Sequence, residues 1–322
     1  MKKFLRAFFG VLLILITVLM MAWVGFSVAK YAIYDEYLTD KGDVCTIPAL
    51  NDGFVAQGIA YLDADGGYIH SGYWGENISV SYVKGDDMRV FIPLDETGKT
   101  ARGHGGGISA YGDFVYVASD DSLLVYKLAD LLAAKDGDSL SCVCRIPVDN
   151  QASFCFAENG KMFVGEFYRA EVYEVDRGHA YTTPEGEEHR AIVSCYNILE
   201  DGMLEEIPDY WISLPAQVQG FAVNEDGVIA ISCSWGLSSS TLSFYNGMKE
   251  TGKTAPYANK EVPIYYIGSA NLIKQVKLPA FSEELDVVGD RVIISYESAC
   301  NKYIVGKLFF AYNAESYPIP KP

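Results

Sequence analysis

Histidine, positive charge and paired cysteine are what this chain has least of. Only four histidines occur in 322 residues, and His70, His179 and His189 have no partner at metal-ligand spacing. Lys and Arg number 25 against 42 Asp and Glu, a formal net charge of −17. That balance repels phosphate backbones, and no basic patch with interleaved aromatics relieves it, so nucleic acid is set aside as a partner. The seven cysteines are an odd number with no Cys-x-x-Cys pair, which argues against a thiolate zinc site. No Gly-x-Ser-x-Gly elbow is present and no Ser, His, Asp order stands out, which argues against the common nucleophilic hydrolases. The glycine run at 102–107 has no helix signal after it, so it does not read as a phosphate-cradling loop.

One long apolar run is present. Residues 7–29 carry no charge, and as a helix they span roughly 34 Å, enough for a bilayer core. Lys2, Lys3 and Arg6 precede the run, while Asp35 and Glu36 follow it. The positive-inside rule then keeps residues 1–6 in the cytoplasm and places the rest outside. The rival reading is a cleaved signal peptide, whose apolar region is shorter, about 7–15 residues. Setting the three basic residues aside leaves about −20 on the exported part. Residues 30–42 read as a juxtamembrane linker.

The remainder repeats itself. Five extended segments end in Ile-Pro or Leu-Pro, at Pro48, Pro93, Pro147, Pro215 and Pro279, and four of them are spaced roughly 45–70 residues from the one before. A second extended segment follows each, beginning near Gln57, Gly106, Ala152, Gln219 and Glu284. Asp/Asn/Gly turns such as Glu158-Asn159-Gly160 and Glu225-Asp226-Gly227 then lead into a further strand. A strand-built period of this size predicts an all-β fold, a β-propeller of five blades over residues 43–313. Six blades is the alternative, because 177–207 and 247–273 are long enough to hide an extra hairpin each. Third strands are expected at 122–128, 170–176, 240–246 and 301–313. The last repeat lacks a fourth strand before a tail at 314–322, whereas 44–48 has the character of a fourth strand and no repeat before it. The N-terminal strand is therefore expected to complete the last blade and close the ring. Cys45, Cys142, Cys144 and Cys155 sit in apolar strand patterns and read as buried thiols. Cys233 and Cys300, at or after second strands of neighbouring repeats, are the pair to test for a disulfide.

In such a ring, the loops entering innermost strands and those leaving second strands share one face. They supply the candidate ligand-binding residues: Gln57, Tyr73, Trp74, His104, Glu166, Tyr168, Arg169, Gln219, Trp235, Glu284 and Glu297. The polar members ring the channel mouth and the aromatic members offer flat apolar surface. Glu284 with the amide oxygens of Gln57 and Gln219 is a candidate Ca²⁺ set, since that ion wants six to eight oxygens. Four of the five leading positions are Gln, Gly, Ala and Gln, which speaks against a paired-carboxylate glycosidase.

The repeat shape over 43–313 resembles the β-propeller superfamily, above all exported lactonase-like and strictosidine-synthase-like members and other bacterial propellers. The lactonase-like resemblance implies a divalent metal held in the channel by a Glu, two amides and an Asp. Glu284, Gln57 and Gln219 match that pattern, and no innermost Asp does.

These readings combine into a membrane-anchored, extracytoplasmic propeller that binds a ligand, a glycan or a protein through its loop face. The alternatives are a metal-dependent hydrolase or lyase acting on a sugar, lactone or phosphoester, and a structural component of an envelope complex.

Overall fold

The structure is a computed structural model that describes residues 2–303 and 311–322. It contains two compact units, residues 1–40 and Lys41–Pro322. The first is a single helix, α1 (Lys2–Asp40), broken from helical dihedrals at Tyr34. It is long and apolar enough to cross a membrane. The helix runs through most of the segment expected to be a linker at 30–42, because nothing between Lys30 and Asp40 is a Pro or Gly that would stop it.

The second unit begins with β1 (Gly42–Thr46). Blade one is β2 (Val55–Leu62), β3 (Gly67–Trp74), β4 (Asn77–Lys84) and β5 (Asp87–Pro93). Blade two is β6 (Gly107–Tyr111), β7 (Phe114–Ser119) and β8 (Ser122–Lys127), then helix α2 (Leu128–Ala133), the short β9 (Ser139–Leu140) and β10 (Cys144–Pro147). β9 leaves its own blade and pairs in parallel with β5. Blade three is β11 (Phe154–Glu158), β12 (Lys161–Gly165), a separate hairpin of β13 (Tyr181–Thr182) and β14 (Glu188–His189), then β15 (Ala191–Asn197) and β16 (Tyr210–Leu214). Blade four is β17 (Val218–Val223), β18 (Val228–Cys233) and β19 (Ser240–Asn246), a hairpin of β20 (Lys249–Tyr257) and β21 (Lys260–Tyr266), and β22 (Leu272–Leu278). Blade five is β23 (Ser282–Val288), β24 (Arg291–Tyr296) and β25 (Asn313–Pro318).

Five blades are therefore present, and their innermost strands pack in the order β2, β6, β11, β17, β23 and back to β2. The chain is a β-propeller. The Ile-Pro and Leu-Pro signals end or directly follow the fourth strand of each blade, where a residue with no N–H ends a ladder at least cost. β1 completes blade five by pairing with β25, and Lys41 fastens that seam with a 2.5 Å ion pair to Glu315.

The two long stretches do not make a sixth blade. In 247–273, the β20–β21 hairpin leaves blade four and adds β21 in parallel to β16, so blade three grows to six strands. In 177–207, the third strand of blade three appears as β15. The expected strand at 170–176 does not form: Val172 and Tyr173 are exposed, whereas β15 is buried along nearly its whole length. The expected third strand at 301–313 lies largely outside the described residues. Residues 314–318, expected as part of the tail, belong to β25 (Asn313–Pro318) instead.

Blades are buried on both faces, which is why their strands read as unbroken apolar runs. Along β7, Val115 and Val117 face the cluster shared with blade one, while Tyr116 and Ala118 face the one shared with blade three. Leu124 and Tyr126 against Leu123 and Val125 repeat this along β8. No disulfide joins any of the seven cysteines, Cys233 and Cys300 included.

Candidate functional site

The channel is shaped by irregularities at the start of its innermost strands. β2 is bulged at Gln57 and β17 at Gln219, while β23 is out of register between Ser282 and Leu285. A bulge turns one extra side chain away from the pleat. In blade five Glu283 and Glu284 together oppose the single Ser295, so the two glutamates take different directions.

Glu284 is fully buried and reaches under the channel. Its Oε2 accepts from the backbone N–H of Ile59 (3.0 Å) and Ile108 (2.8 Å), and its Oε1 from that of Cys155 (2.9 Å). One carboxyl thus joins the innermost strand of blade five to those of blades one, two and three. Gly58 and Gly107 make room for it: a Cβ at Gly107 would stand 2.2 Å from Oε1, and one at Gly58 2.7 Å from Oε2. Burial pushes the Glu284 pKa well up, against the pull of the three N–H donors. Asp286 repeats the device one step along, accepting from the N–H of Tyr61 at 2.6 Å.

This corrects the expected role of Glu284. It does not line the channel cavity that Gln57 and Gln219 line, and its oxygens face N–H hydrogens where a cation would have to sit. The expected Ca²⁺ set is therefore not brought together. Among the described residues no three His, Cys, Asp or Glu side chains converge at metal-binding spacing.

Above Glu284 lies a cavity of about 640 Å³. Its acidic wall holds Glu283 and Glu297, both nearly buried. Glu297 accepts from the Gln57 amide at 2.9 Å. Burial lifts its pKa to about 7, with Lys302, Tyr303 and Gln57 acting against the shift. Glu283 is 3% exposed and has no hydrogen-bond partner among the described residues. Burial, then the neighbouring charges of Glu297 and Glu284, push its pKa well up. The Lys302 ammonium donates to the Tyr73 hydroxyl and sits 4.8 Å from the centre of that ring and 5.3 Å from that of Tyr303. His104 packs edge-on against Tyr73, and burial followed by the Lys302 charge lowers its pKa.

The facing wall is aromatic. Phe167 and Trp235 stack at 6.0 Å, and Tyr173 meets Trp235 edge-on at 5.9 Å. The Arg169 guanidinium stands 4.4 Å from the Trp235 ring centre. Phe281 stacks on Tyr303 at 4.8 Å. Phe281, Ala152 and Gln217 each lead into an innermost strand with positive φ (66°, 47° and 67°), a conformation that costs a non-glycine residue about 1–3 kcal/mol.

Of the expected residues, Gln57, Tyr73, His104, Gln219, Trp235 and Glu297 line this cavity. Arg169 backs its wall without lining it. Trp74 stands apart from it, 42% exposed, and Tyr168 contributes its backbone carbonyl to the N–H of Gln217. Glu166 is buried in blade three, where Oε1 accepts from His179 Nδ1 (2.7 Å) and the N–H of Ile192. His179, which has no partner at metal-ligand spacing in the sequence, is thus that acid's partner. Glu283, Lys302 and Tyr303 are among the cavity residues that the sequence candidates missed. Glu283 was hidden by the extra bulge residue beside Glu284, and the other two by their position at the head of an apolar run.

No protein-family model matches the chain, and no curated protein matches it. Among solved structures it is similar to the PQQ-bound aldose sugar dehydrogenase of Streptomyces coelicolor (14% identity, TM-score 0.47, covering 86% of this chain and 95% of that one). It is also similar to a putative glucose dehydrogenase of Thermus thermophilus (11%, 0.45, 86% and 98%) and to the glutaminyl cyclase of Myxococcus xanthus (12%, 0.38, 87% and 95%). Likenesses this slight say nothing of activity, and the closed ring of five sheets is what makes this chain a β-propeller.

Proposed function

We propose that this propeller binds a small organic molecule at its channel mouth and is held at the outer face of a membrane by α1. One observation carries the reading: a cavity of about 640 Å³ lined from all five blades, with stacked aromatics on one wall and the nearly buried carboxyls of Glu283 and Glu297 on the other. That size and mixture of apolar surface with few polar groups is what small-molecule sites have, roughly 300–1,000 Å³. The outer location is supported by Lys2, Lys3 and Arg6 before the apolar run and acidic residues after it. A second reading, acid-assisted hydrolysis in the same cavity, is favoured by the Glu297 pKa near 7, where a general acid serves best.

The test is fluorescence of the full chain in lipid nanodiscs, titrated with glucose, glucosamine, cyclohexanol and cyclohexylamine. Saturable quenching by at least one of them, lost in Trp235→Phe, is the expected result. No saturable change with any of the four overturns the reading.

A further inference from the structure

We propose that the molecule bound at the channel mouth is an organic cation, an amine whose ammonium group sits beside Glu283 and whose apolar part lies on the Phe167–Tyr173–Trp235 wall. The inference rests on the reading of the cavity as a small-molecule site, and it names the ligand class.

Charge comes first. Four carboxyls line the cavity, on Asp120, Asp121, Glu283 and Glu297, against the single ammonium of Lys302. Ionised, that wall repels an anion and suits a cation.

The chain itself shows what this environment accepts. The Lys302 ammonium rests against the rings of Tyr73 and Tyr303 and answers Glu297. Such placement is how aromatic sites hold ammonium groups. Glu283 has no such answer: it is almost wholly buried, faces the cavity and lacks any hydrogen-bond partner among the described residues. A nearly buried carboxyl beside Glu297 is costly to ionise, and a cation seated beside it offsets that cost. A hard metal ion asks for six or more oxygens, and no three acids converge there. An amine asks for one carboxylate and an aromatic face, and both are present.

Proton release follows. The groups near Glu283 are Glu284 and Asp286 on its own strand, Glu297, Lys302 and Tyr303 from the loop after β24, and His104 with Asp120 across the mouth. Burial keeps a proton on Glu283 in the empty cavity, and an arriving ammonium displaces it. Affinity for the amine therefore rises with pH until the amine itself deprotonates.

The experiment is calorimetric titration of the full chain in nanodiscs with two matched pairs, glucosamine against glucose and cyclohexylamine against cyclohexanol. Each titration is run in two buffers of different ionisation enthalpy. The expected result is that the amine binds about tenfold tighter than its neutral partner, the scale of one desolvated cation–π contact, and releases protons. Glu283→Gln should erase that preference. Lys302→Met, which leaves Glu297 unanswered, should strengthen amine binding, and it keeps the test open if the Glu283 variant fails to fold. Equal binding of both members of each pair overturns the amine inference and leaves the small-molecule site standing. Binding of neither overturns both. Calcium binding that Glu283→Gln removes, without any amine preference, overturns the inference in favour of a metal.

Discussion

The side-chain amide of Gln57 donates to Oε2 of Glu297 across 2.9 Å. Gln57 is the bulged residue of the innermost strand of blade one, and Glu297 begins the loop that leaves the second strand of blade five. The bond spans the seam where the first blade meets the last, so ring closure and the acidic wall of the cavity are built by the same pair. Glu284 and Asp286 stitch the same seam lower down through the N–H groups of Ile59 and Tyr61.

Stability should fall as pH rises from about 4.5 to 7. The folded pKa of both Glu297 and Asp286 is raised to about 7, so the folded state holds protons that the unfolded chain releases. The contribution is fully present below the ordinary carboxyl pKa and lost on passing the folded one. For Glu297 it is on the order of 3 kcal/mol. Thermal melts of the full chain at pH 5 and pH 8 check this, with Glu297→Gln expected to flatten the difference. A melting temperature that rises over this range contradicts it.

Gly107→Ala should destabilise the propeller by about 3 kcal/mol, the upper range for overpacking. The new Cβ would stand 2.2 Å from Glu284 and 2.6 Å from the Cys155 nitrogen. Glu284→Gln should cost about 1–3 kcal/mol, since an amide cannot accept on both arms and leaves an N–H unpaired. Denaturant unfolding measures both. Gly112→Ala, where a Cβ meets nothing within 4 Å, is the control that bears only the cost of its positive φ.

His179→Ala should cost about 3 kcal/mol, because it strands the buried Glu166 carboxyl. Burial works against a charged His179 ring, but the bond to Glu166 outweighs it and raises the histidine pKa. His179→Ala combined with Glu166→Leu should recover part of the loss. Equal melting temperatures for wild type and His179→Ala would refute the pairing.

The proposed orientation, with α1 across the bilayer and the N-terminus inside, predicts that protease added outside intact cells digests the propeller unit or leaves it detached from the membrane, while a tag placed before Lys2 stays protected. Protection of the propeller from outside would reverse the proposed orientation.

Much of the architecture was legible because it rests on local chemistry. Pro93 and Pro147 end their strands, Asn159-Gly160 and Asp226-Gly227 turn, and the strands between them run apolar. Even the closure was readable, since residues 44–48 look like an outermost strand with no blade of their own. Part of the cavity lining was legible for the same reason: Gln57, Gln219 and Glu297 flank recognisable strands. What misled was alternation. The acid–apolar run at 170–176 carries a strand pattern but finds no partner strand, while β15, twenty residues on, pairs on both sides.

The sequence alone determined the apolar helix, the spacing of the blades and the strand that closes the ring, because turns, prolines and apolar runs act over a few residues. Only the tertiary structure decided which glutamate faces the channel. Side chains alternate along a strand, so the irregularity between Ser282 and Leu285 sends Glu283 into the cavity and Glu284 beneath it. That placement depends on the N–H groups of Ile59, Ile108 and Cys155, which lie between 129 and 225 residues away and come near only when the ring is closed.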